Sequence, residues 1–213
     1  MTLFLGGGGD VDVSVLMDRA FFKFLSAKDK ILYISAAWDD GGYTHCFEWF
    51  SALADKYVNM PKENIVMLSE ETEIPDLAEF KAVYIGGGNT YKLLDYVCRT
   101  GLKDKLIAYL NGGGLVFGGS AGAIIFGATI ETVPEEKENY PDNQAVAYLP
   151  KYALRCHYEE NLEPLYKELS GLITFPIITL PEDSGLIVDN DRITVVGRAI
   201  IFHNGNKVQN RSL

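Results

Sequence analysis

A serine flanked by glycines opens the chemistry of this chain. In Leu115-Val116-Phe117-Gly118-Gly119-Ser120-Ala121-Gly122-Ala123-Ile124-Ile125-Phe126, an apolar run of strand type meets two glycines and presents one serine. It then resumes as an apolar segment compatible with a helix. Gly118-Gly119-Ser120-Ala121-Gly122 fits G-x-S-x-G, the sharp strand-to-helix turn that lifts a hydroxyl clear of a sheet. A strained turn needs neighbours without bulky Cβ groups. A helix starting there would aim its free N–H groups and positive dipole end at an oxyanion. The same residues would also suit a close-packed turn in which Ser120 only caps the helix.

A serine hydroxyl needs an adjacent base to act as a nucleophile at neutral pH. The chain offers three histidines. His45 precedes Cys46 on a helical periodicity, which places it far from any loop at a strand's C-terminal end. His203 ends the last strand-like run, before Asn204-Gly205. His157, in Arg155-Cys156-His157-Tyr158, stands between an irregular stretch and a helix, where a loop could deliver an imidazole to the elbow. His157 is therefore preferred to His203. A carboxylate must then orient the ring and stabilise its charged form. Glu182 and Asp183, in Pro181-Glu182-Asp183-Ser184-Gly185 between two strands, are both candidates. An oxyanion hole needs two backbone donors aimed at one point. The N–H of Ala121 follows the serine directly, and the run Gly86-Gly87-Gly88-Asn89 after another strand is the natural second source.

The elements that must position these residues can be read from periodicity. Leu3–Leu5, Ile31–Ser35, Ile65–Leu68, Ala82–Ile85 and the run ending at the elbow read as strands. Between them lie helices: Val11 to Leu25; the face made by Tyr43, Cys46, Phe47, Phe50, Leu53, Ala54 and Tyr57; and those carrying Leu93, Leu94 and Val97, then Leu102, Leu106, Ile107 and Leu110. Apolar strands separated by helices imply a parallel sheet covered on both faces. After the elbow the pattern changes. Glu131 to Asn143 reads as a surface excursion in which Glu135-Glu136-Lys137-Glu138 is a solvated face, with an acidic role for Glu135 or Asp142 left open. Glu159–Leu169 is helical. Ile177–Leu180, Gly185–Val188, Ile193–Val196 and Ala199–His203 are short strands, with Asp189-Asn190-Asp191 and Asn204-Gly205-Asn206 as hairpin turns.

At 213 residues the chain reads as one α/β domain spanning 1–213. Hydrophobic residues are 47% and charged residues 23%, a globular balance. A formal net charge of -10 argues against nucleic acid as a partner. No apolar run approaches the roughly 20 residues that span a bilayer, so no membrane association is expected. Cys46, Cys98 and Cys156, an odd number without C-x-x-C spacing, point to reduced thiols in the cytoplasm. No H-E-x-x-H or other metal spacing occurs, nor G-x-G-x-x-G, nor a P-loop. Neither a metal nor an organic cofactor is implied.

Gly-Gly-Gly-Asn-Thr at 86–90, Gly-Gly-Ser-Ala-Gly-Ala at 118–123, and a histidine about forty residues further on together resemble peptidase family S51. These are the serine peptidases typified by aspartyl dipeptidase, with cyanophycinase as a relative. The resemblance spans nearly the whole chain, in order and spacing. It implies a three-layer α/β sandwich with a mostly parallel sheet, of the flavodoxin-like class I glutamine amidotransferase type. It further implies Ser120 as nucleophile, His157 as base, Glu182 as the third member, and Gly88 with Ala121 as oxyanion donors. The order Ser…His…Glu differs from that of α/β-hydrolases. Aspartate-specific members carry arginine after the catalytic histidine, whereas Lys167 is the only basic residue here between Tyr158 and Leu169. Asn89 and Arg155 are the candidate substrate contacts. The expected activity is hydrolysis of short peptides through an acyl-enzyme, with a homodimer allowed. An esterase or amidase using the same residues is one alternative, and a non-enzymatic small-ligand-binding α/β protein is another.

Overall fold

The computed structural model describes residues 2–38, 42–70, 72–134, 140–141, 144–190 and 192–208. Residues Glu135, Glu136, Lys137, Glu138 and Asp142, and with them the questions of a solvated face and an acidic role there, lie outside the described residues. In chain order the first half holds β1 (Thr2–Gly6), α1 (Val15–Phe22), β2 (Ile31–Ile34), α2 (Tyr43–Val58) and β3 (Ile65–Leu68). There follow β4 (Ala82–Ile85), α3 (Thr90–Arg99), α4 (Leu102–Asn111), β5 (Leu115–Gly119) and the one-turn α5 (Ala121–Ile124). The second half holds β6 (Ala153–Arg155), α6 (Glu163–Leu172), β7 (Ile177–Thr179), β8 (Gly185–Asp189), β9 (Arg192–Val196), β10 (Ile200–His203) and β11 (Asn206–Val208).

The main sheet runs β3-β2-β4-β5-β1-β8-β9. Its first five strands are mutually parallel, and β8 and β9 add antiparallel at one edge. Strand periodicity divides the residues between two faces. Leu3, Leu5, Leu32, Ile34, Val83, Ile85 and Val116 pack on one side with the helices α3, α4 and α5. On the other side Phe4, Phe117, Tyr84 and Tyr33 stand in register across four strands and pack under α1 and α2. The result is the expected three-layer sandwich. A second sheet, β11-β10-β7-β6, continues the first core through Leu154, Ile178 and Ile201.

Local sequence explains the departures from expectation. The helix expected from Val11 begins only at Val15, because Asp10 folds Val11 to Ser14 into a turn, its carbonyl accepting from the N–H of Val13 and Ser14. The segment from Glu159 enters as a 3-10 turn, Glu160–Leu162, with Pro164 inside the first turn of α6. Strands β6 and β11 carry only three residues each, too few to show a period of two. The hairpin signals are met: Asn190 adopts φ 53° between β8 and β9, although Asp191 lies outside the described residues, and Asn204-Gly205 turns β10 into β11 with φ 49° and 76°.

Candidate active site

Three loops leave the sheet at the carboxyl ends of β1, β4 and β5, where ligands of open α/β sheets bind. Register brings them together: Gly6 pairs with Gly119, and Ile85 with Gly118. Ser120 occupies the turn between β5 and α5 at φ 52°, ψ -116°. Such a conformation costs on the order of 1–3 kcal/mol for a residue with a Cβ and persists only where the surroundings enforce it. Here they do so. The Ser120 N–H donates to Gly6 O (3.1 Å), and its carbonyl accepts from the N–H of Ala123 (2.8 Å) and Ile124 (3.0 Å). The Cys156 thiol donates to the carbonyls of Gly6 and Ser120 at 3.5 and 3.6 Å.

His157 is held in the same unusual way, at φ 56°. Its N–H donates to Gly7 O (3.1 Å), and the next residue, Tyr158, donates to Leu180 O (3.0 Å). The loop after β6 is thereby fixed to the loop after β1. Strain at both residues serves one geometry. Ser120 Oγ lies 2.8 Å from His157 Nε2, and His157 Nδ1 lies 2.7 Å from Glu182 Oε1. Asp183 does not compete for the ring, since its Oδ1 accepts from Ser184 Oγ at 2.6 Å. The His157 and Glu182 side chains are 45% and 49% exposed. A pair so open to water is worth less than about 1 kcal/mol as an attraction, so Glu182 acts on the ring chiefly by orienting it.

The hydroxyl opens onto a cleft of about 470 Å³ lined by the Gly8–Asp10 and Gly86–Gly88 loops and by the aromatic side chains Tyr33, Trp38, Trp49 and Tyr84. Backbone approaches very close there. A Cβ on Gly8, whose φ is +100°, would lie 2.6 Å from His157 Cε1 and Nε2. One on Gly87 would lie 3.1 Å from Ser120 Cβ. Cys46 also lines the cleft, but burial raises its thiol pKa, which keeps it from acting as a thiolate. A larger cavity of about 760 Å³, beside Lys105 and Gly113, lies at the opposite end of β5, away from Ser120. Among the described residues no group of three or more His, Cys, Asp or Glu side chains could hold a metal ion.

Gly88 lies in the cleft that Ser120 opens onto, and Ala121 follows the serine directly. Gly88 lines the cleft at φ +133°, its α-carbon facing Ala37. Ala121 is the first residue of α5, so its N–H has no acceptor within the helix. The helix itself is a single turn, four residues long. Few peptide dipoles are aligned there, so the individual N–H groups matter more than a macrodipole. The two candidate substrate contacts lie elsewhere. Asn89 uses its side chain to cap α3, accepting from Lys92 N–H at 2.9 Å. Arg155 Nη1 donates to Thr132 O at 2.8 Å, and neither residue lines the cleft. His45 reverses its expectation. It does line the cleft, because the first turn of α2 follows β2 and opens at the same edge. His203 ends β10 in the second sheet. Sequence reasoning also missed Gly8, Asp10 and Trp49; the one signal available was that Gly6–Gly9 follows a strand, as the other two glycine loops do.

The sequence profile described as peptidase family S51 matches residues 3–196. Peptidase E of Streptomyces coelicolor is 29% identical over 141 residues, which are 61% of this chain and 58% of that relative. Peptidase E of Haemophilus influenzae is 28% identical over 167 residues, 73% of this chain and 71% of the relative. The chain thus spans little more than half the length of the first of these relatives. Among solved structures, a peptidase from an acI-B1 Actinobacterium superposes with a TM-score of 0.68 at 17% identity, covering 99% of this chain and 94% of its own. A candidate Peptidase E from Listeria monocytogenes gives 0.66 at 18%, covering 92% and 97%. These likenesses carry the fold, a class I glutamine amidotransferase-like α/β arrangement.

Proposed function

This chain belongs to peptidase family S51, and we propose that the peptidase activity this membership carries is exerted on short peptides, through an acyl-enzyme formed on Ser120. The observation that carries the reading is the continuous path from Ser120 Oγ to His157 Nε2 at 2.8 Å and from His157 Nδ1 to Glu182 Oε1 at 2.7 Å, built on two strained backbones. His157 Nε2 takes the hydroxyl proton as Oγ adds to the scissile carbonyl carbon. Glu182 accepts from Nδ1–H, fixing the tautomer and steadying the imidazolium. The Ala121 and Gly88 N–H groups hold the oxyanion. The imidazolium then returns its proton to the leaving amine as the C–N bond breaks. Water, deprotonated by the same ring, adds to the ester carbonyl and releases the acid and the free serine. The cytoplasm is the proposed compartment, in keeping with the reduced thiols of Cys46, Cys98 and Cys156. Among the described residues, no helix is long and apolar enough to cross a membrane.

A fluorophosphonate should label Ser120 covalently, and Ser120→Ala should abolish both labelling and peptide turnover while leaving the thermal transition intact. Hydrolysis at the original rate by the alanine variant would remove Ser120 from the chemistry. Turnover of small esters with no turnover of di- and tripeptides would move the reading to an esterase on the same residues.

A further inference from the structure

The cleft beside Ser120 contains one carboxylate, that of Asp10, and no lysine or arginine among the described residues that line it. Asp10 stands exposed at the end of the loop after β1. Its Oδ1 accepts from Val11 N–H at 2.7 Å and from Trp49 Nε1–H at 3.2 Å. Those two bonds hold the acid below the ordinary aspartate pKa, so it is an anion at neutral pH.

Aromatic rings form the walls around it. Trp49 stands edge-on to Tyr84, with centroids 6.3 Å apart, and Tyr84 lies flat on Phe117 at 4.5 Å. Tyr33 stacks on Phe50, also at 4.5 Å. The rings continue without a break into the core under α1 and α2, so the walls are set before any ligand arrives. Trp38, 43% exposed, adds an outer face. Ring faces carry the negative end of a quadrupole and attract cations. A carboxylate beside them supplies a charge-assisted acceptor. An acidic side chain placed beside Asp10 would meet repulsion from its carboxylate.

We propose that this cleft selects peptides presenting an ammonium group on the acyl side of the scissile bond, held by the Asp10 carboxylate beside the Trp49 ring. The proposal rests on the reading of Ser120 as the nucleophile of a peptidase. The ammonium has two sources, the free α-amino terminus of a short peptide or the side chain of an acyl-side lysine. Both offer the same chemistry to Asp10.

Binding and turnover are measured separately. In the non-acylating Ser120→Ala protein, calorimetry compares L-lysinamide, L-norleucinamide and N-acetyl-L-norleucinamide, each with and without Asp10→Asn. Asparagine keeps an Oδ1 acceptor for Val11 and Trp49 and removes only the charge. At least one amine should bind about tenfold or more tightly than the acetylated amide, and Asp10→Asn should erase that difference. Equal affinity of lysinamide and norleucinamide identifies the α-amino group as the source; tighter lysinamide identifies the side chain. A second measurement needs no Asp10 variant. Raising salt from about 50 to about 500 mM should weaken the ammonium ligands and spare the acetylated one. Equal binding of charged and neutral amides, or binding indifferent to both salt and Asp10→Asn, overturns the proposal. In parallel, wild-type protein is assayed on lysyl-, norleucyl- and N-acetylnorleucyl-methylcoumarin amides. Cleavage of the N-acetylnorleucyl substrate as fast as or faster than the lysyl and norleucyl ones also overturns it and leaves the peptidase reading in place. Asp10-dependent binding with no substrate cleaved sustains the cation site and removes the peptidase reading.

Discussion

Gly8→Ala tests the catalytic geometry most directly, because the added methyl would enter the space between the serine and the imidazole. Its Cβ would lie 2.6 Å from His157 Cε1 and Nε2 and 2.9 Å from Ser120 Cβ. Restoring an ordinary contact of about 3.4 Å moves the ring by about 0.8 Å. The 2.8 Å bond from Ser120 Oγ to Nε2 would not survive a shift of that size along its axis. The His157 side chain is 45% exposed, so the ring can swing toward solvent and the strain is relieved at the expense of catalysis. The expected loss is that of a general base, about a hundred- to ten-thousandfold in kcat/KM, or about 3–5 kcal/mol of transition-state stabilisation. Holding alanine at φ +100° adds about 1–2 kcal/mol of destabilisation. Hydrolysis of a coumarin-labelled peptide, the rate of fluorophosphonate labelling and a thermal melt report the three effects. Gly101→Ala is the matched control. It imposes alanine at φ +72° with nothing within 4 Å, so it should cost about 1–2 kcal/mol of stability and no activity. A folded Gly8→Ala protein within threefold of wild-type kcat/KM would refute the assigned geometry.

Glu182→Gln should lower kcat by about ten- to a thousandfold, because glutamine can hold the ring in the wrong tautomer, whereas Asp183→Asn should leave kcat unchanged; equal losses in the two would displace Glu182. Asp18 offers a stability prediction remote from catalysis. Burial on the inner face of α1, to which it belongs, raises its pKa from 3.8 to about 6, against the opposing hydrogen bond from Ser14 and the attraction of Lys56. A raised carboxyl contributes stability that is whole below pH 3.8 and is lost as pH rises through about 6. The buried charge therefore costs about 3 kcal/mol at pH 8. Asp18→Asn should raise the urea midpoint at pH 8 and flatten its pH dependence between 4 and 7. A lower midpoint than wild type at pH 8 would contradict that account.

The strand-to-helix turn at Ser120 was legible because its signal is local: apolar strand, small residues, apolar helix, all within twelve positions. The parallel sheet was legible for the same reason, and Ile31–Ile34, Ala82–Ile85 and Leu115–Gly119 are apolar throughout because both faces of each strand are covered. The choice between Glu182 and Asp183 was not local. It depends on the antiparallel entry of β8 beside β1, which turns one carboxylate to His157 and leaves the other bonded to Ser184. His45 was misplaced for a comparable reason. Its periodicity describes the face of a helix, but its role follows from where the helix begins.

Read alone, the sequence determined the layered α/β architecture and the serine's position on a turn. Both are written in patterns of a few residues, repeated at the period of a strand or a helix. The tertiary structure decided what surrounds that serine. Three glycine-containing loops, separated by tens of residues, meet because parallel strands end at one edge. The register that aligns Tyr33 with Tyr84 then gives the cleft its aromatic wall, and no local pattern records a neighbour fifty residues away.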